Sequence, residues 1–461
     1  MSSSHSTLAS KPLYPPTVTA PPQPLPLWRF LPTFVRNPLR ALPRQVYEDD
    51  MLVAPRAGAT IAWVMAPALV EQVLVSQADA TTKSPVEKRV FNASLADSIL
   101  IADGAQWRWQ RRALAPLFRA VDLQTHVPAM ATAAEAQVAR WRSAASPAPR
   151  AVDEDMTRAT YEVILATMLV GGRPAEAETI LKAGNDYLAR ISWEMAFALL
   201  RLPPWLPHPA TGQMRRAARQ LREAVSAIIA RRRTEGGDGR DLLGRLLAAR
   251  HPDTGEPMPD NLIVSNLLTL LEAGHETTAK ALTWTLYLLA RAPDWQDRVF
   301  DEVRGVAGDA PITADMLARL PVTQRVVKEA MRLYPPAPVM ARQAAEPITL
   351  GAHRLPAGSQ IIIPIYAIHR HRKLWADPDR FDPDRFLPAA EVARLRTHYM
   401  PFGGGSRVCI GAAFALLEAT TLLATFVRAA RFGWDGRHLP EPISRITLRA
   451  KGGMPLHVIM R

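Results

Sequence analysis

One cysteine occurs in the 461 residues, and three consecutive glycines stand just before it, in Phe402-Gly-Gly-Gly-Ser-Arg-Val-Cys-Ile-Gly411. A single thiol can form neither an internal disulfide nor a multi-cysteine zinc site. Gly403, Gly404, Gly405 and Gly411 let the backbone pass close to something flat and bulky. The apolar stretch from Ala412 to Ala430 predicts a helix beginning beside Cys409, whose dipole and free N–H groups favour a thiolate. A lone thiolate on a glycine-rich loop is what an axial haem ligand requires, which makes Cys409 the candidate metal ligand.

A second group with chemical potential is Ala273-Gly274-His275-Glu276-Thr277-Thr278. A glycine in mid-helix costs about 1 kcal/mol and asks for a reason. Ala273 and Gly274, if they face the iron, leave room for dioxygen. Thr277 lies three residues beyond Gly274 on nearly the same face. Its hydroxyl can bend the helix through a backbone carbonyl and hold a water, and Glu276 is a titratable neighbour able to resupply protons. His275 is given no chemistry.

These groups need rigid supports. The proline-free stretch from Asp260 to Ala290 is apolar on several faces and predicts a long buried helix. Residues 314–333 predict another, ended by Pro335 and Pro336. Helical periodicity dominates from about Gly104 to Asp241. Strand-like pieces are Ala59–Met65, Ile348–Leu350, Gln360–Ile365, Arg445–Leu448 and Leu456–Ile459. The expected fold class is mainly α with minor β (α+β): one large helical domain with a small β-rich region.

Phe402-x-x-Gly405-x-Arg407-x-Cys409-x-Gly411 resembles the haem-binding loop of the cytochrome P450 family at every signature position. The resemblance spans roughly residues 40–461. It implies haem b as cofactor, with iron held by the Cys409 thiolate, and a catalytic domain over 41–461. It further implies that Glu276 and Thr277 are the acid–alcohol pair of the oxygen-activating helix. Glu329-Ala-Met-Arg332 together with Arg385 resembles the family's structural triad that fixes the haem loop. Arg380 competes, but Phe-x-Pro-x-Arg-Phe is complete only around Arg385. Trp107-x-x-x-Arg111 matches the helix that binds the haem carboxylates, with Arg342 and Arg407 as further cations and Phe402 packing near the sulfur. By resemblance the substrate is lined by 84–99, the helices around 180–205, Leu270, Ala273, 338–340 and the loop near Ile443. These are mainly apolar, which suits a small hydrophobic guest.

The implied reaction is monooxygenation: one atom of O2 enters the substrate by hydroxylation or epoxidation. Electrons come from NAD(P)H through a separate ferredoxin or flavodoxin-type donor with its reductase. A peroxide-driven peroxygenase or a non-catalytic haem sensor are the alternatives. Net charge is +13, but the basic residues are dispersed and mostly Arg, arguing against nucleic acid and for attraction of an acidic donor protein at Arg108, Arg112 or Arg119. No apolar run of 18 residues or signal-peptide layout stands out, so a cytoplasmic protein of the soluble bacterial type, without a transmembrane anchor, is expected. Residues 1–40, rich in Ser and Pro, are expected to be a mobile or extended tail.

Overall fold

A computed structural model describes residues 11–56, 59–144, 146–168, 174–236, 239 and 241–461. Its longer helices are, in chain order, α1 (Leu27–Arg36), α2 (Pro85–Leu95), α3 (Gly104–Leu114), α4 (Val127–Ser143), α5 (Val152–Met168), α6 (Pro174–Leu199), α7 (Thr211–Glu235), α8 (Asp260–Arg291), α9 (Pro293–Ala307), α10 (Pro321–Leu333) and α11 (Ala412–Ala429). Helix α8 is the axis of the core. It is apolar on nearly every side, and α5, α7, α10 and α11 all pack against it. Trp284 on α8 is fully buried and stacks on Tyr334, just beyond α10, with ring centroids 3.8 Å apart. Pro259 before the helix and Pro293 after it explain why it stops where it does.

Helix α11 is long and apolar enough to cross a membrane. It is mostly buried against α4, α8, α9 and α10, so that apolarity serves the core. The main sheet has strands β1 (Met51–Arg56), β2 (Ala59–Val64), β3 (Thr81–Lys83), β4 (Met340–Ala344) and β5 (Gln360–Ile363) in the order β1-β2-β5-β4-β3. Only β2 and β5 pair in parallel. A two-stranded hairpin, β6 (Glu441–Ser444) with β7 (Leu448–Lys451), leans towards α8, where Trp284 donates to the Leu448 carbonyl (3.2 Å).

Two expectations change and a third is narrowed. The helix over 314–333 is two: Ala314–Leu317, then α10 beginning at Pro321, because proline tolerates only the first turn. Of the strand expected at 445–448 only Leu448 is in a strand, as the first residue of β7; 445–447 form the turn of the β6–β7 hairpin, closed by Arg445 N–H donating to the Thr447 carbonyl (3.1 Å). Of the mobile or extended tail expected over residues 1–40, the described part, from residue 11, is extended before α1 and held. Leu13 bridges Phe381, the Tyr334 hydroxyl donates to the Pro16 carbonyl (2.8 Å), Val18 is buried, and Leu27–Arg36 forms α1. Prolines forbid a ladder but not an extended strap lying in a groove.

Candidate active site

The loop carrying Cys409 is shaped by its glycines. Gly405 has φ +67°, and a Cβ there would come within 2.0 Å of the Leu74 carbonyl oxygen, so no other residue fits. Cys409 N–H donates to the Phe402 carbonyl (2.9 Å), closing the loop on itself. Arg111 on α3 donates to the Val408 carbonyl (2.8 Å) and ties the loop to its neighbour helix. The thiol itself is open at the surface of its loop although its surroundings are dense. Burial pushes its pKa up, outweighing the Gly411 N–H and Arg111. Burial and the helix terminus thus act on the thiol in opposite directions.

Behind the loop lies a buried ion pair. Glu329 and Arg332 on α10 are both 0% exposed and joined by two hydrogen bonds of 2.6 and 2.7 Å. Arg332 also donates to the carbonyls of His369 (2.8 Å), Pro378 (2.7 Å) and Arg380 (3.0 Å). Arg385 Nε lies 3.6 Å from Glu329 and its guanidinium caps the carbonyls of Ala376 and Asp377, whereas Arg380 contributes only its backbone. Burial, with Arg332 and Arg370 close by, drops the pKa of His369 to about 3, so its ring stays neutral. Its Nε2 then accepts from the Met400 N–H (2.9 Å). One continuous path thus runs from the ion pair through His369 and Met400 into the cysteine loop.

Helix α8 carries a short accessible window. Almost every residue from Leu262 to Leu289 is buried; the accessible ones are Leu270, Glu272, Ala273, Gly274 and Thr277. A core helix opened only there forms the wall of an internal chamber. Ala273 is its most exposed member, and Thr277 Oγ1 donates to the Ala273 carbonyl (2.8 Å), the local bond expected of a helix-bending threonine. Gly274 also has a packing role. A side chain there would strike Ile164 Cδ1 at 2.7 Å, so the glycine admits α5 against α8. Glu276 points away from the window and is buried, accepting from Thr447 Oγ1 (2.8 Å) and ion-paired with Arg449, whose Nη2 is 2.9 Å away, with Lys280 3.9 Å off. Burial raises its pKa, but Lys280, Arg449, His275 and Thr447 together pull it below the usual value, so it is a carboxylate.

The family model for cytochrome P450 matches residues 21–454. The chain is a cytochrome P450. It is 34% identical to cyclooctatin synthase of Streptomyces melanosporofaciens over 95% of this chain and 93% of that one. Cyclooctat-9-en-7-ol 5-monooxygenase of the same organism is 31% identical over 94% and 92%. Taurochenodeoxycholic 6 alpha-hydroxylase of Sus scrofa is 31% identical over 82% and 78%. The crystal structure of the cytochrome P450DA haem domain superposes with a TM-score of 0.83 at 27% identity, covering 97% of this chain and 99% of that one. The P450 is thus an oxygenase with the fold of its family.

Membership implies haem on a cysteine thiolate, and the residues present fit it. Arg342 on β4 is buried, donates to the Ala341 carbonyl (2.8 Å) and makes no ion pair among the described residues. Arg407 stacks over Trp107 (4.6 Å) and donates to Asp103 (2.7 Å), leaving its Nη1 buried and unpartnered. Lys83, opposite Arg342 in the sheet, pairs with Glu87 (3.2 Å). Burial lowers the pKa of all three cations, and each is pushed further or only partly relieved by its neighbours. Three cations against two carboxylates, one of them also held by Lys88, is an excess of buried positive charge. That excess suits a group bringing two carboxylates of its own.

Sequence reasoning missed Lys83, Asp103, His369, Thr447, Arg449 and Glu272. None has a spacing signal: each acquires its role from partners far along the chain. A cleft of about 340 Å³ between α1, α2, β5 and the end of α6, lined by Leu27, Phe30, Pro85, Val86 and Leu199 among others, opens beside the segments expected to line the substrate.

Proposed function

We propose that this P450 inserts one oxygen atom of O2 into a small hydrophobic organic molecule, using electrons delivered from NAD(P)H by a separate ferredoxin or flavodoxin-type protein. Cys409 would hold haem b through its thiolate, with Arg342, Arg407, Lys83 and Arg111 around the haem carboxylates and Trp107 and Phe402 as flanking rings. Bound there, the haem supplies the oxygen-activating redox chemistry. The observation that carries the reading is the window on α8, where Ala273, Gly274 and Thr277 stand accessible with Leu270 and Glu272 in an otherwise buried helix, in a chain whose single thiol is exposed on its loop.

The chain's own groups divide the remaining work. The apolar cleft near Leu27 and Val86 admits a hydrophobic guest and sheds its water. Thr277 Oγ, on the chamber wall, holds a water and passes a proton into the chamber. Glu276 is the link behind it. As a carboxylate it takes up a proton from the side of Arg449, whose side chain is 23% exposed, and hands it towards Thr277. The names of the Streptomyces relatives, one of which specifies an unsaturated alcohol, favour a compact hydrophobic skeleton with an oxygen substituent.

Thr277→Ala is expected to leave substrate binding unchanged and to lower product per NAD(P)H about tenfold, with hydrogen peroxide rising in proportion. Undiminished product yield would remove Thr277 from the proton path. Turnover as fast with hydrogen peroxide alone as with donor and O2 would replace the monooxygenase reading by a peroxygenase.

Arg108, Arg112 and Arg119 are exposed on the side of the cysteine loop that α3 and its continuation form. Arg112→Glu is expected to slow reduction by an acidic donor about tenfold at low salt and much less at high salt. Equal stopped-flow reduction rates at low salt would place the donor elsewhere.

A further inference from the structure

Glu272 is the one acidic residue in the α8 window, and no part of the proton path uses it. Its Oε1 is buried without a hydrogen-bond partner. The carboxyl lies flat against Gly184 of α6, where a Cβ would be 2.4 Å from Oε1 and 2.7 Å from Oε2. Gly184 is in mid-helix with no need for unusual backbone angles, so its missing side chain serves to make room for that carboxyl. From α5, the Tyr161 hydroxyl is also buried and unpartnered, and burial first, then the charge of Glu272, oppose its ionisation. Two orphan polar groups near enough to feel each other's charge are rare in a core, and they mark a place for a polar atom of something else.

We infer that Glu272 and Tyr161 form a polar subsite in the chamber wall that accepts a hydroxyl of the substrate and thereby fixes which carbon of an otherwise apolar skeleton is presented for oxidation. The inference rests on the monooxygenase reading and names the substrate class for it. The groups facing Glu272 are Glu276 on its own helix, Arg449 on β7 and Tyr161 on α5, with only the backbone of Gly184 from α6. Burial and the Glu276 carboxylate raise the pKa of Glu272 to about 8, more than Arg449 lowers it. At neutral pH it is a carboxylic acid, able both to donate to and to accept from a hydroxyl. Glu276 stays out of the subsite because Thr447 and Arg449 hold it.

Adamantane, 1-adamantanol and 1-adamantanamine share one rigid shape and differ only in the polar atom. Their dissociation constants are measured by equilibrium dialysis on the haem-loaded protein and by spin-state shift. The wild type is expected to bind the alcohol about tenfold more tightly than the hydrocarbon. Glu272→Met, unbranched so as to fit against Gly184, is expected to bring that ratio to about one without weakening the hydrocarbon, and Glu272→Gln to keep most of it. An alcohol-to-hydrocarbon ratio near one in the wild type, an unchanged ratio in Glu272→Met, or an amine bound more tightly than the alcohol would each overturn the subsite. Oxidation of adamantane by wild type and Glu272→Met, followed in parallel, separates that outcome from failure of the monooxygenase reading: the subsite can fall while adamantane is still hydroxylated.

Discussion

Cys409→Ser is expected to fold and yet lose product formation to background. The thiol is accessible, and serine keeps the backbone N–H bond to the Phe402 carbonyl, so apoprotein stability should move by no more than about 0.5 kcal/mol. What changes is the donor atom. A hydroxyl in the same dense setting does not deprotonate to ligate iron as a thiol does, so the electron-rich sulfur is lost. Circular dichroism, haem content and product yield on the same preparation check the three parts separately. Product at the wild-type rate from a serine variant would refute the ligand assignment.

Glu329→Gln is expected to act through the fold. Arg332 is 0% exposed, and the neutral amide would leave its guanidinium buried without a counter-charge. Breaking a buried pair from one side costs about 3–5 kcal/mol, more than the carbonyls of His369, Pro378 and Arg380 can offset. The loss should travel to the cysteine loop, since Arg332 fixes His369 and His369 fixes Met400. Urea unfolding of the apoprotein should show the destabilisation, and the purified protein should hold markedly less haem. Wild-type stability with wild-type haem content would show that the pair does not support the loop.

Much of this was legible in the residues because the informative signals were local. The glycines and the cysteine stand within ten positions, and Asp260–Arg291 lacks proline and is apolar on several faces, so its helix could be placed almost to the residue. The cation cradle was only half legible: Asp103 meets Arg407 across 304 positions, and nothing near Lys83 announces that Arg342 lies opposite it. Gly274 shows a different limit. A helix glycine can admit a ligand or a neighbouring helix, and only the position of Ile164 reveals the second role. Glu272 was passed over for the same reason, since Gly184 becomes meaningful only when α6 lies against α8. In the tail, composition correctly excluded sheet, but proline content does not tell a loose segment from a strap packed on Phe381 and Tyr334.

The ferrous–CO difference spectrum of the purified wild-type protein tests the assignment of sulfur to iron most directly. A Soret band displaced to the long-wavelength position of thiolate-ligated haem, with one haem per chain, is the predicted result. A band at the position of nitrogen-ligated haem in freshly prepared protein, or a chain that binds no haem, would contradict it.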